Sequence, residues 1–293
     1  MSISTQTYPT VEQLKSPEFW RELCPELHIE SIDQSIDLST ETQLDDEGRQ
    51  RLVQDGYAYC PQVISKDMSD RLVRAIERLA SHRLYPVFIA VYDEIWLILN
   101  ALSSLFTEVL GERYAILPDI WAWSLGPNDK GWGPHRDRLV PVLRDDGHPN
   151  SITVWVALSN ASPDNGCMYI LPASKDPNYP NNPQMVVDDW QAVRALPANA
   201  GDVLIWNQTV AHWGGQCSAW AKENRVSVAF ELQRCDVPEL NSPLLSPDYL
   251  PPFEWRLGII AKQLLQYEHM ISLEPELKRM AAVLRPLLPN TLP

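Results

Sequence analysis

The second half of this chain is divided into short apolar runs by turn-forming residues, and this division limits the folds available to it. Each run is followed by a cluster rich in Gly, Pro, Asn or Asp, and the runs cover residues 120–125, 151–158, 167–171, 203–207 and 225–233. Proline cannot donate a hydrogen bond to a strand ladder, so frequent prolines favour short strands and loops over helices. Short strands at regular spacing, separated by such turns, predict a mostly antiparallel sandwich or barrel.

Helical patterns flank this region on both sides. Ser65 and Asp67 are candidate caps for a helix over 68–82, and helix over 88–110 is predicted to end at Gly111. After Pro252 the apolar residues recur at three- and four-residue spacing over 253–267 and 275–288. We therefore predict a β-rich α+β fold in a single domain over residues 1–293. Its N-terminal region, residues 1–112, is mainly helical, and it is followed by a β core over 113–235 and a helical tail over 250–293.

Composition excludes several classes of function. The net charge of −14 disfavours phosphate backbones and anionic lipid surfaces, so neither a nucleic acid nor a membrane is an expected partner. The longest apolar stretch, 84–110, contains three acidic residues and is too broken to cross a bilayer. The five cysteines form no CxxC pair, which predicts reduced and mostly buried thiols. Cytoplasmic localisation is the resulting expectation.

The segment Gly131-Trp-Gly-Pro-His135-Arg-Asp137-Arg138 carries the candidate chemistry. Side chains two residues apart on a strand point to the same side, so His135 and Asp137 can share one metal ion. His212, in Thr-Val-Ala-His-Trp-Gly-Gly, is the candidate third ligand. Two histidines and one carboxylate form the facial triad of non-haem Fe(II) oxygenases, which leaves three positions open. The alternative is a capping aspartate beside a surface histidine.

Arg225 follows His212 by thirteen residues in Asn-Arg225-Val-Ser227-Val, within a predicted strand. An inward arginine is costly unless it is paired, and the distal carboxylate of 2-oxoglutarate would pair it in a bidentate manner. Ser227 faces the same side and is a candidate second donor to that carboxylate. The alternative for Arg225 is a salt bridge at the strand end. For Arg138 a salt bridge is expected, with a substrate carboxylate as the alternative partner.

Together these blocks resemble the phytanoyl-CoA dioxygenase family of 2-oxoglutarate oxygenases over about residues 47–233. The shared pattern comprises the Gly-Tyr strand and helix within 52–79, the His-Arg-Asp segment, the Pro-Asp-Asn-Gly turn at 163–166, Ala-Gly-Asp-Val at 200–203, His212, and Arg225-Val-Ser. The resemblance implies a double-stranded β-helix, or jelly-roll, core. It also implies that Fe(II), 2-oxoglutarate and O₂ are used, that His135, Asp137 and His212 bind the metal, and that Arg225 and Ser227 bind the co-substrate.

The resemblance further places Trp155 beside the co-substrate, although this tryptophan is also compatible with ordinary core packing. Asp137 disfavours halogenation, because relatives that halogenate replace this carboxylate by Gly or Ala. Hydroxylation of a small-molecule metabolite or natural-product intermediate, with release of succinate and CO₂, is therefore the predicted reaction. Desaturation, cyclisation or epoxidation by the same chemistry is the alternative outcome. A cupin-type enzyme without 2-oxoglutarate and a non-catalytic binding module are the competing functions.

The helical tail after residue 250 lies outside the family pattern. It is expected either to cover the active site or to form the interface of a homodimer.

Overall fold

The computed structural model describes residues 8–31, 42–138, 142–181 and 187–290. Within these ranges the helices are α1 (Val11–Lys15), α2 (Pro17–Leu23), α3 (Asp46–Asp55), α4 (Lys66–Ser81), α5 (Asp93–Ala101), α6 (Ser103–Leu110), α7 (Phe253–Gln266) and α8 (Pro275–Leu284). The strands are β1 (Tyr57–Cys60), β2 (Tyr114–Leu125), β3 (Trp132–His135), β4 (Ser151–Ala157), β5 (Met168–Leu171), β6 (Arg194–Leu196), β7 (Val203–Asn207), β8 (Ala211–Gly214) and β9 (Arg225–Arg234).

The strands form two antiparallel sheets that pack against each other. One sheet has the order β1-β7-β4-β9-β2 and the other has the order β3-β8-β5-β6. Trp155 and Leu204 of the first sheet share a buried apolar cluster with Met168 and Ile170 of the second. Antiparallel sheets packed in this way make a jelly-roll-like core, so the predicted β-rich α+β fold is confirmed.

The helices cover the outer face of the five-stranded sheet. A larger apolar cluster extends from Leu14 to Leu288 and joins residues of α4, α5 and α7 to those of β2, β4 and β9. This continuity supports the single domain that we propose for the chain. Among the described helices, none is long and apolar enough to cross a membrane. All five cysteines are free, and only Cys235 is exposed.

Local sequence explains where the predicted elements begin and end. The side chain of Ser65 accepts a hydrogen bond from Met68 N and starts α4, as its position predicts. Strand β2 begins at Tyr114, six residues before the predicted apolar run, and its register with β9 shifts between Ile116 and Ile120. Pro118 lies at this shift and has no N–H to donate.

Candidate metal centre and cavity

Strands β3 and β8 bring the two candidate histidines together. The strands are antiparallel, and His135 and His212 are direct partners in their register. Asp137 follows two residues after His135, just beyond the end of β3. Gly131 allows this approach, because a Cβ at that position would lie only 2.1 Å from the carbonyl oxygen of Gly214. Neither β3 nor β8 was predicted from the sequence, since both are short and contain glycine.

The three candidate ligand side chains converge on one point. Oδ1 of Asp137 lies 3.4 Å from Nε2 of His135 and 3.4 Å from Nε2 of His212. One ligand atom from each residue lies within 4.8 Å of the others, and among the described residues no other group of histidine, cysteine or acidic side chains meets this condition. Three ligand atoms at these distances from one another can bind a single divalent metal ion together.

Hydrogen bonds to the backbone fix both imidazole rings. Nδ1 of His135 lies 2.8 Å from the carbonyl oxygen of Gly133, and Nδ1 of His212 lies 3.1 Å from that of Val210. A carbonyl oxygen can only accept, so each Nδ1 carries a proton, and each Nε2 is the nitrogen that can bind a metal ion at the common centre once it is deprotonated. Metal-binding histidines are ordinarily held in this way.

The carboxylate of Asp137 is held by its second oxygen. Oδ2 accepts hydrogen bonds from Thr153 Oγ1 at 2.6 Å and from Trp206 Nε1 at 2.9 Å. Thr153 on β4 and Trp206 on β7 are themselves register partners, so the two donors approach from adjacent strands. Burial opposes ionisation of Asp137, but His212 and His135 hold the pKa of this carboxyl well below its usual range. The carboxylate therefore stays charged, with Oδ1 free to bind a cation.

Arg225, at the start of β9, is a buried cation that has no counter-ion among the described residues. Its side chain is 1% exposed, its Nη1 donates to Ser227 Oγ at 2.8 Å, and its Nε has no partner among the described residues. In the described part of the chain no carboxylate forms an ion pair with it, and burial lowers the pKa of Arg225 to about 10. The alternative prediction, a salt bridge at the strand end, thus finds no acidic partner among the described residues.

A cavity of about 310 Å³ joins the triad to Arg225. Trp155 lines it, as do Trp123 and Met168, and the rings of both tryptophans lie 5.9 Å from Cζ of Arg225. The indole N–H groups of these tryptophans have no hydrogen-bond partner among the described residues. Ser227 does not line the cavity, since its hydroxyl is engaged by Arg225.

Several cavity residues were not predicted from the sequence. They include the donors to Asp137 and the residues at the far end of the tail helix α7, namely Gln263, Gln266, Tyr267 and His269. A short apolar run contains Trp206, but nothing in that run indicates that the indole N–H donates a hydrogen bond to the carboxylate of Asp137. The end of α7 thus lies over the cavity, which agrees with the first of the two expectations for the tail.

Comparison with known proteins agrees with the sequence resemblance. Residues 101–219 match the family model "Phytanoyl-CoA dioxygenase (PhyH)", a segment that includes the triad and ends before Arg225. An "Iron/alpha-ketoglutarate-dependent dioxygenase ausU" from Aspergillus calidoustus is 30% identical over 122 residues, which are 40% of this chain and 39% of the relative. "Dioxygenase lolE1" from Epichloe uncinata is 27% identical over 113 residues, 37% of this chain and 43% of the relative. The matches thus span about two fifths of each curated relative.

Solved structures confirm the fold. The crystal structure of HygX from Streptomyces hygroscopicus with nickel and 2-oxoglutarate bound has a TM-score of 0.53 and 16% identity, over 67% of this chain and 90% of that chain. At this identity the likeness establishes the arrangement of strands and helices alone.

Proposed function

We propose that this chain, whose residues 101–219 match the model of the phytanoyl-CoA dioxygenase (PhyH) family, is a member of that family and a non-haem Fe(II) oxygenase that uses 2-oxoglutarate and O₂. His135, Asp137 and His212 would hold the metal, because their two imidazole nitrogens and one carboxylate oxygen form the donor set that Fe(II) oxygenases use. The curated relative described as an iron- and α-ketoglutarate-dependent dioxygenase supports this choice of metal and co-substrate.

The observation that carries the proposal is the unpaired charge of Arg225 in the cavity that contains the triad. A buried guanidinium without a counter-ion is unfavourable in the free protein, and a dianionic ligand removes this penalty. The two unpartnered indole N–H groups beside it, those of Trp123 and Trp155, are further donors for an anion. In this proposal Ser227 orients the guanidinium through its hydrogen bond, and Arg225 itself binds the distal carboxylate.

When bound, iron with 2-oxoglutarate and O₂ supplies the oxidative decarboxylation that yields succinate and CO₂ and oxidises a substrate C–H bond. The protein contributes binding, orientation and exclusion of water. His135 and His212 each keep a proton on Nδ1, where a backbone carbonyl accepts it, and leave Nε2 free. Thr153 and Trp206 hold Oδ2 of Asp137, so the carboxylate would offer a single oxygen, Oδ1, to the metal.

We propose hydroxylation of a small molecule as the reaction. Asp137 supplies the carboxylate that halogenating relatives replace by Gly or Ala, and its presence disfavours halogenation. The cavity volume of about 310 Å³ falls within the range of small-molecule sites. The net charge of −14 disfavours a nucleic acid as the substrate.

The test is an anaerobic titration of the purified protein with Fe(II) and then 2-oxoglutarate, followed by admission of O₂. We expect a weak visible charge-transfer band that needs both ligands, and we expect succinate after O₂ is added. His135→Ala should remove the band, whereas His148→Ala, outside the cavity, should retain it as the matched control. A protein that binds Fe(II) but neither forms the band nor yields succinate would favour a metalloenzyme that does not use 2-oxoglutarate.

A further inference from the structure

Five cavity residues have no part in the proposed handling of metal and co-substrate. Asp119 on β2, Glu231 on β9, Arg138 after the metal segment, and Gln263 and Tyr267 at the end of α7 line the cavity together. We call this set the acidic wall. Since the metal, the co-substrate and O₂ leave only the remaining space of the cavity for a substrate, the acidic wall is the surface that a substrate would meet.

The positive charge in the acidic wall is already paired. Arg138 Nη2 donates to Glu231 Oε2 and lies 3.5 Å from Asp119 Oδ2, as the expected salt bridge requires. Asp119 also accepts hydrogen bonds from side-chain amides of Asn241 at 2.6 Å and Gln263 at 3.1 Å. One guanidinium thus faces two carboxylates, and a substrate carboxylate placed here would add a third negative group.

Acceptors without donors remain in and beside the acidic wall. Gln263 Nε2 donates to the carbonyl of Pro118 at 2.9 Å and to Asp119, and because both partners are acceptors the amide orientation is fixed. Its Oε1 is therefore turned away from them, and this fully buried side chain leaves that oxygen without a partner among the described residues. Gln208 Oε1 is also buried and unpartnered there, but Gln208 does not line the cavity. Burial and the neighbouring Asp119 hold the pKa of Glu231 well above its usual range, and a cationic group placed beside Glu231 would offset this negative potential and favour its ionised form.

Two hydrogen-bond donors near the cavity also lack a partner among the described residues, but they do not compensate for the acidic groups at the cavity surface. Lys262 Nζ, on α7, is buried without a partner among the described residues, but Lys262 does not line the cavity. Arg138 Nε is likewise unpartnered, yet the charge of Arg138 is engaged by Glu231. An incoming group that donates hydrogen bonds is therefore better accommodated than one that only accepts them.

An aromatic panel adjoins the acidic wall. The ring of Tyr267 contacts Trp121 edge to face, with centroids 5.1 Å apart, and Trp132 in the same manner at 5.8 Å. All three line the cavity. Such a panel buries an apolar ring or hydrocarbon body and lacks the charge to hold an ion.

We infer that the substrate presents hydroxyl or protonated amino groups to Glu231, carries no carboxylate at that end, and packs a ring or hydrocarbon body against Tyr267, Trp121 and Trp132. This inference rests on the proposed function, because it takes the cavity to be the substrate site. It makes Glu231 a specificity-determining residue, and it gives the tail helix α7 the role of completing the site.

The experiment compares three probes with the same aromatic ring: 2-phenylethylamine, 2-phenylethanol and 3-phenylpropanoate. Their binding to the full-length protein is measured by titration calorimetry with saturating 2-oxoglutarate and a divalent metal that does not turn over, so that Arg225 and Asp137 are occupied and none of the probes can bind there. No turnover is required, so a failed oxygenase assay leaves this result independent. We expect the amine to bind about tenfold or more tightly than the carboxylate, since one charge-assisted hydrogen bond contributes at least that factor. The alcohol should lie between them.

The variant Glu231→Gln should reduce the difference between amine and carboxylate to less than about threefold, because it removes the charge-assisted part of the contact. Glu254→Gln is the matched control, since Glu254 is an exposed residue of α7 and the variant has the same net charge. Should Glu231→Gln fail to fold, Tyr267→Ala gives an independent test. It should weaken all three probes by a similar factor without changing their order.

Three results would overturn the inference. They are equal or tighter binding of the carboxylate to the unmodified protein, an undiminished amine preference in Glu231→Gln, and no measurable binding of any probe at millimolar concentration.

Discussion

Arg225 gives a prediction that separates binding of a co-substrate from structural support. The protein buries two arginines to the same extent, and both Arg225 and Arg256 are 1% exposed. Arg256 Nη1 lies 2.5 Å from Asp93 Oδ1 and also donates to the carbonyl of Val91. Within the part of the chain that the structure describes, Arg225 donates only to the hydroxyl of Ser227. The substitution Arg225→Met keeps an unbranched side chain in place and removes the buried charge.

The expected effects on stability have opposite signs at the two sites. Removing the uncompensated charge of Arg225 should leave the free energy of unfolding unchanged or raise it by about 1–3 kcal/mol when no ligand is present. Arg256→Met should lower it by about 3–5 kcal/mol, because it leaves the carboxylate of Asp93 buried without its cation. With 2-oxoglutarate at a hundred times its Kd, the unmodified protein should gain about 2.7 kcal/mol, and Arg225→Met should gain almost nothing.

The assay is urea unfolding of the three proteins at neutral pH, each with and without 2-oxoglutarate and a divalent metal that does not turn over. The reasoning is refuted if Arg225→Met destabilises the ligand-free protein as much as Arg256→Met does. It is refuted equally if 2-oxoglutarate still stabilises the variant by the full amount, since the guanidinium would then not bind the co-substrate.

Four other substitutions, one of them a control, test the metal centre and the fold. Trp206→Phe removes one of the two donors to the metal-facing carboxylate and should weaken Fe(II) binding about 10- to 100-fold in a direct metal titration, with little change in the circular dichroism spectrum. Gly131→Ala would place a Cβ 2.1 Å from the carbonyl oxygen of Gly214, so it should lower both stability and metal affinity, whereas Gly133→Ala, whose Cβ would meet nothing within 4 Å, should change neither. Asp93→Asn should lower stability at pH 7 by about 3 kcal/mol. Burial opposes ionisation at this position but the paired arginine lowers the pKa of Asp93 overall, so its contribution is present above its unfolded pKa of about 4 and is lost as pH falls through its lower folded pKa. Unfolding measured from pH 6 to pH 2 should therefore show a shallower loss for Asp93→Asn than for the unmodified protein.

The sequence predicted those features of the molecule that depend on local order along the chain. Capping residues and helical spacing located α4 and α7 to within a few residues, because these signals are contained in the element itself. The His-x-Asp spacing indicated a shared ligand site, because alternation along an extended chain places two such side chains on one side. The short strands β3 and β8 escaped prediction, since four residues containing glycine carry no periodic signal.

What the sequence by itself determined is therefore the set of chemical groups and their order: two histidines, one aspartate and a later arginine, on a core of short strands. The tertiary structure alone decided their surroundings. It placed no carboxylate of the described residues beside Arg225, held Asp137 through Trp206, 69 residues away in the chain, and joined Gln263 to Asp119 across 144 residues. Such contacts depend on how distant segments pack, and no pattern within either segment encodes the identity of its partner.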